Sequence, residues 1–197
     1  MSDLVLTPVT VFHLEMLDPQ ELRPTRRVPD AVAGLEIVRA QVPLPEFNRF
    51  LYASVGGDWH WRDRMTWDYP RWLGVLGRPG YETWVAYLAG TPAGYYELDA
   101  HEDGSVEIAY FGLLPHFIGR GIGGLLLTHA IRRGWEKGAR RVWVHTCTLD
   151  HPSALHNYEA RGLKQFKQET VLVDLPAEPV GPWPKSGRPR FAGHSLR

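Results

Sequence analysis

The chain is short of cysteine. Its single thiol, Cys147, excludes an internal disulfide, which fits a reducing compartment. It has no surplus of either charge: 22 lysines and arginines balance 22 acids. Nothing therefore directs it to nucleic acid or to an anionic membrane. Long apolar runs are missing as well, and no stretch approaches the ~20 residues that cross a bilayer. The opening MSDLVLTPVTVFHLEM has no basic region followed by a long apolar core, so it does not read as a signal peptide. There is no internal repeat. These absences predict a cytoplasmic chain with neither a nucleic-acid nor a membrane partner.

What is present suits one domain. The 197 residues are 44% apolar, enough to build a proper core. Residues 1–30 read as an N-terminal strand and arm, 31–175 as the domain, and 176–197 as a proline-rich tail. Val9 to Met16 is a predicted strand, and the proline-rich stretch Asp18 to Asp30 a loop. Leu35 to Ala40 is the first firm strand. Leu44-Pro45-Glu46 opens a helix that Gly56-Gly57 ends. Thr66 is placed to cap a short helix near Asp68 to Leu76. Thr83 to Leu88, Ala93 to Ala100 and Val106 to Leu114 are strands joined by tight turns, which implies an antiparallel meander. Gly121 to Lys137 carries an apolar helical stripe. Arg141 to Thr146 reads as a central strand, apolar on both faces. A helix capped by Asp150 or His151 ends at Gly162, and Leu163 to Val173 returns as a strand. The pattern predicts a mixed α/β (α+β) domain, with a central, mostly antiparallel sheet of six to seven strands and helices on both faces.

Chemistry concentrates in SVEIAYFGLLPHFIGRGIGGLLL, residues 105 to 127. A strand leads to a bend holding Gly119, Gly121, Gly123 and Gly124, with Arg120 and Ile122 among them, and the bend opens a helix. Bare main-chain N–H groups at a helix N-terminus form a seat for phosphate. Gly119, Gly121 and Gly124 fit the dinucleotide pattern G-x-G-x-x-G. The preceding meander, the intervening Pro115 to Ile118 and the poorly spaced acids Glu136 and Asp150 do not fit a dinucleotide fold.

The order strand, P-x-x-x-G-R-G-I-G, long helix, strand, HPSALHNYEARGL, strand resembles the GNAT superfamily of acetyl-CoA-dependent N-acetyltransferases. The resemblance covers Tyr81 to about Val173. Ile118 departs from the polar first position of the family's phosphate signature. The resemblance implies acetyl-CoA as co-substrate; the histidine spacing below predicts no metal. The resemblance implies acetyl transfer to a primary amine. With no convincing covalent nucleophile in the sequence, direct attack in a ternary complex is the expected mechanism, and an aromatic-walled pocket would suit a small amine or an amino-acid-like molecule as acceptor. The resemblance also implies that Phe111, Gly112 and Leu113 pair with the pantetheine arm, that residues 119–124 hold the diphosphate, and that Asn157 bonds the arm. A non-catalytic acyl-CoA sensor on the same scaffold is the alternative. A homodimer is compatible with either.

The chemistry needs a base for the amine, a donor for the carbonyl oxygen and an acid for the leaving thiolate. Glu107, an acid in an apolar run, is the candidate base; otherwise it faces water or pairs with an arginine. Tyr158 is the candidate acid, directed by the resemblance at the thioester sulfur; otherwise it packs its helix on the sheet. The eight tryptophans include Trp59, Trp61, Trp67 and Trp72 in one short segment. That segment, with Tyr69, either walls the acceptor site or forms a second small core; Trp61, Tyr69 and Trp72 are the acceptor-site candidates. Arg62, Asp63, Arg64 and Asp68 would be its polar anchors. His145 and Cys147 share a strand face, but His151 and His156 are five apart and cannot complete a metal site on one helix face.

Overall fold

The local signals resolve into seven strands and four α-helices among the described residues. The computed structural model describes residues 4–25, 30–177, 179, 181 and 182. In chain order they are β1 (Leu4–Met16), β2 (Glu36–Ala40), α1 (Pro45–Gly56), α2 (Tyr69–Leu76), β3 (Glu82–Leu88), β4 (Thr91–Ala100), β5 (Ser105–Leu113), α3 (Ile122–Glu136), β6 (Arg141–Cys147), α4 (Ala154–Ala160) and β7 (Lys164–Pro176). The strands form one sheet in the order β2-β3-β4-β5-β6-β1-β7. Every neighbouring pair is antiparallel except β5 and β6.

Alternation along β4 divides the core between the two sheet faces. Tyr96 and Leu98 face α3, where Leu126, Leu127, Ala130 and Ile131 pack on them together with Val106, Ile108, Val142 and Val144. Tyr95 and Val85 face α1, against Leu51 and Val55. Beyond α1, Trp72 and Leu76 of α2 meet Tyr52 and Tyr81 in a further cluster. Each large apolar side chain so buried contributes about 1.5–3 kcal/mol.

Four local expectations change. The first strand begins at Leu4, not Val9, and inserts between β6 and β7, with Val11 opposite Cys147 and Thr10 opposite Thr170. Asp68, not Thr66, caps α2, accepting the Arg71 N–H at 2.9 Å; a carboxylate also answers the helix dipole. Ser153 holds the cap position of α4, because the Asp150 carboxylate is taken up by Thr146 Oγ1 (2.7 Å) and the Cys147 N–H (3.0 Å). Finally, β6 is not apolar on both faces. Val142, Val144 and Thr146 are buried, whereas the His145 side chain on the other face is 49% exposed. Most of the proline-rich tail lies outside the described residues; Gly181 donates its N–H to the Gly57 carbonyl at 3.0 Å.

One acid ties the meander to α3. Burial raises the pKa of Glu82, but hydrogen bonds from Arg133, Trp84 and Lys137 overcome it and hold the carboxyl near 2. A depressed folded pKa contributes stability above the unfolded value of about 4.3 that is lost as pH falls through the folded one. Stability is therefore expected to drop between about pH 4 and pH 2. Denaturant titrations of Glu82→Gln across that window should show a flatter curve than the wild type; an unchanged slope would assign the acid sensitivity elsewhere.

Candidate active site

The parallel pair is where the sheet opens. Ser105, Glu107 and the residue between them pair with Arg141 to Trp143, and the register stops there. Further along, Tyr110 pairs with Glu97 and Ile108 with Leu98, so Ala109 is an extra residue, a bulge in β5. A bulge bends and twists its strand, and here β5 leaves β6 just beyond the last paired residues. From Ala109 to Leu113 the strand has no register partner in β6, so its outward main-chain groups face a cavity of about 760 Å³. That volume is in the range of small-molecule sites. Residues 109–113 form one wall and residues 144–147 the other, with Gly119, Gly123 and Gly124 at one end. Asn157, Tyr158 and Arg161 of the α4 region close the side.

The glycine turn is built as a left-handed bend. Gly119 and Gly121 both have φ of +83°, a conformation that side chains with a Cβ rarely adopt. Gly121 is the N-cap of α3 and supplies no side-chain cap bond. A Cβ added at Gly119 would meet nothing within 4 Å, and one at Gly123 would meet only Asn157 Nδ2 and Leu113 at 3.7 Å. The turn is thus open to a ligand rather than filled. At Gly124 a Cβ would collide with Arg161 Nη1 and with Thr25 Oγ1. Arg161 reaches this point by donating to Thr25 Oγ1 at 2.7 Å, and its Nε is buried without a hydrogen-bond partner. Burial lowers its pKa, yet a guanidinium keeps its charge at any ordinary pH. A cation therefore stands over the N-terminus of α3. Arg161 was not legible beforehand; only the fold brings the end of α4 to this turn.

The cofactor candidates separate. Phe111, Gly112, Leu113, Gly119, Gly123, Gly124 and Asn157 line the cavity. Gly121 shapes the turn without lining it. Ile122 is fully buried with Val32, Ala93 and Phe117, because the first turn of α3 needs an apolar anchor on the sheet. Arg120 lies 2.9 Å from His116 Nε2 and over the Phe117 ring, folded onto its own loop rather than into the cavity.

Of the two catalytic candidates, Tyr158 lines the cavity. It is 5% exposed, and its ring meets Phe111 edge-on at 5.9 Å. Burial, with a smaller contribution from Asp150, raises its pKa above the ordinary tyrosine value, so the hydroxyl keeps its proton. Glu107 does not line the cavity. Its carboxylate lies 3.2 Å from His145 Nδ1 and 3.4 Å from His101 Nε2. His145, which that carboxylate contacts, does line the cavity.

The rings of the aromatic segment divide between the cavity and the core. Trp59 and Trp61 line the cavity. Trp61 donates to Asp150 Oδ1 at 3.4 Å and packs on Tyr52 and Tyr110 at 5.4 and 5.1 Å. Gly56 permits this fold-back, since a Cβ there would collide with the Trp61 ring. Trp72 instead is 1% exposed in the cluster between α1 and α2, and Tyr69 is 52% exposed on the outer end of α2. Neither reaches the cavity, because α2 packs on α1 and not over the notch. The polar anchors also disperse. Arg62 and Asp63 line the cavity, with Arg62 also donating to the Asp174 carbonyl at 2.9 Å; Arg64 turns inward to Glu97 at 2.6 Å, and Asp68 caps α2.

Comparison with known proteins places this geometry. A model of the acetyltransferase (GNAT) family matches residues 44–163. The mycothiol acetyltransferase of Corynebacterium aurimucosum is 28% identical over 181 residues, covering 79% of this chain and 57% of that protein. Among solved structures, a GCN5-related N-acetyltransferase from Kribbella flavida superposes with a TM-score of 0.58 at 18% identity, over 89% of this chain and 61% of that one. An aminoglycoside acetyltransferase from an uncultured soil metagenomic sample, in complex with trehalose, does so with a TM-score of 0.53 at 21% identity, over 67% of this chain and 88% of its own. The chain thus spans a little under two thirds of the first two relatives. At such identities the superpositions speak for the fold alone, but the family match takes in α1, the notch, its glycine turn and α4. On that match, which covers more than half of its residues, the chain belongs to the acetyltransferase (GNAT) family.

Proposed function

We propose that the chain transfers an acetyl group from acetyl-CoA to the primary amine of a small acceptor, by direct attack within a ternary complex. The observation that carries this is the loss of β5–β6 pairing after Trp143, which leaves a strand edge inside a cavity instead of inside a sheet. An extended pantetheine arm supplies amides that such an edge can pair with. The bulge at Ala109 turns a main-chain N–H out of the ladder, as a donor for the thioester oxygen. Tyr158, protonated throughout, supplies the proton for the leaving thiolate. The Trp59, Trp61 and Tyr110 walls suit a compact, ring-bearing amine, and the structural neighbour named for aminoglycosides makes amino sugars a first choice of acceptor.

The test is thiol release from acetyl-CoA across a library of amines and amino sugars. Turnover on at least one of them is expected. CoA binding without turnover on any would support a sensor instead.

The Arg161 cation gives a second readout. Arg161→Met is expected to raise KM for acetyl-CoA about tenfold, the loss of one charge-assisted contact to phosphate, and to leave kcat unchanged. Acetyl-pantetheine, which lacks the phosphates, should be used equally well by both proteins. An equal loss on both substrates would show that Arg161 acts on the fold and not on phosphate.

A further inference from the structure

We infer that His145 is the base that takes the acceptor's proton, and that Glu107 is a positioning residue acting through it. This rests on the transferase reading of the site.

The placement follows from the strands. Residue 145 lies on the face of β6 away from α3, past the last residues that pair with β5. It lines the cavity beside Thr146 and Cys147, and half of its side chain is exposed. Glu107, on the strand that leaves it, sits 3.2 Å from Nδ1 and is itself only 15% exposed. A carboxylate on Nδ1–H fixes the ring's orientation and tautomer and makes Nε2 the basic nitrogen. The other titratable neighbours do not replace it. His13 of β1, ring centroid 6.1 Å away, is held by Glu169 of β7 at 3.0 Å. His101 shares Glu107 from the far side. Asp150 spends its oxygens on Thr146, the Cys147 N–H and Trp61. Burial raises the Cys147 pKa, so the thiol is neutral.

The step balances. The acceptor ammonium gives one proton to His145 Nε2. The nitrogen lone pair attacks the thioester carbon, and the C–N bond forms. On collapse the C–S bond breaks, and the thiolate leaves with the Tyr158 proton. The surplus proton on the new amide nitrogen restores Tyr158, and His145 releases its proton to water.

The hydrogen bond to Glu107, opposed by burial, raises the pKa of His145 above the ordinary histidine value. The protonated ring cannot act as a base, so kcat/KM should climb with pH to an inflection above about 6.5.

Three measurements on the full chain test the assignment. His145→Gln is expected to lose about 100-fold in kcat together with the acidic limb of the profile, while CoA binding by calorimetry stays the same. His145→Ala should regain activity with added imidazole, which a structural role would not allow. In Glu107→Gln the His145 imidazole signals, followed by NMR, should titrate at lower pH than in the wild type, and the kinetic inflection should move with them. No thiol release by the wild type from any amine would overturn the transferase reading and this assignment with it. Turnover by the wild type that His145→Gln matches across pH would overturn this assignment alone. So would an NMR titration that Glu107→Gln does not move.

Discussion

Glu97→Ala is expected to lower stability by about 3–5 kcal/mol, the cost of leaving a buried charge without its partner. The stranded charge is Arg64. Its side chain is 7% exposed and that of Glu97 1%, and they meet at 2.6 Å. Asn48 Nδ2 donates to the second carboxylate oxygen at 2.7 Å. Tyr81 bridges the pair, donating to Glu97 and accepting from Arg64 Nη2 at 2.9 Å. The guanidinium lies over Tyr110 at 4.1 Å and Trp67 at 4.8 Å. Without Glu97 it cannot shed its proton, because arginine stays charged even when buried. Replacing both residues, as Arg64→Met with Glu97→Leu, removes the charge along with its partner and should cost less than the single change. Urea unfolding of the three variants decides the point, and equal losses from single and double variants would mean that the pair is not the source. The network also ties residues 63–66 to β4 and so holds the neighbouring Trp61 wall. Glu97→Ala should therefore raise KM for the acceptor in the fraction that still folds.

The second large effect is catalytic. Tyr158→Phe is expected to lower kcat about a thousandfold, within the range for removing a general acid, with little change in stability or in CoA binding. Phenylalanine keeps the ring that packs on Phe111 and fills the same space, so only the hydroxyl is tested. Because burial holds the Tyr158 proton on, the wild type should show no alkaline loss from this group up to about pH 10. Single-turnover thiol release measures the step directly. A loss under tenfold would make Tyr158 a packing residue.

Much of the fold was legible because its signals are local. Tight turns at Gly90 and Gly104 announce the meander, and an apolar stripe bounded by glycines announces α3. The left-handed bend at Gly119 and Gly121 needs the residue that stands there. The candidate site was legible wherever its groups are main-chain atoms or lie on those elements, as with residues 111–113 and Tyr158. It was illegible wherever a side chain is defined by what lies across from it. Glu107 looks like a lone acid in an apolar run until the short β5–β6 register sets His145 beside it. Trp61 and Trp72 look alike in one aromatic segment, yet one walls the cavity and the other is core. Arg64 reads as a polar anchor of the acceptor site, although it forms a buried pair with Glu97, a residue that no local signal singles out.

From its residues alone, this chain determines a meander leading into a glycine bend and a helix, since backbone conformation and apolar period depend on near neighbours. Which acid meets which histidine, which tryptophan faces the notch, and that Arg161 stands over the end of α3 were settled only by the tertiary structure. Those contacts join residues far apart in sequence, so neither the local backbone nor the apolar period announces them.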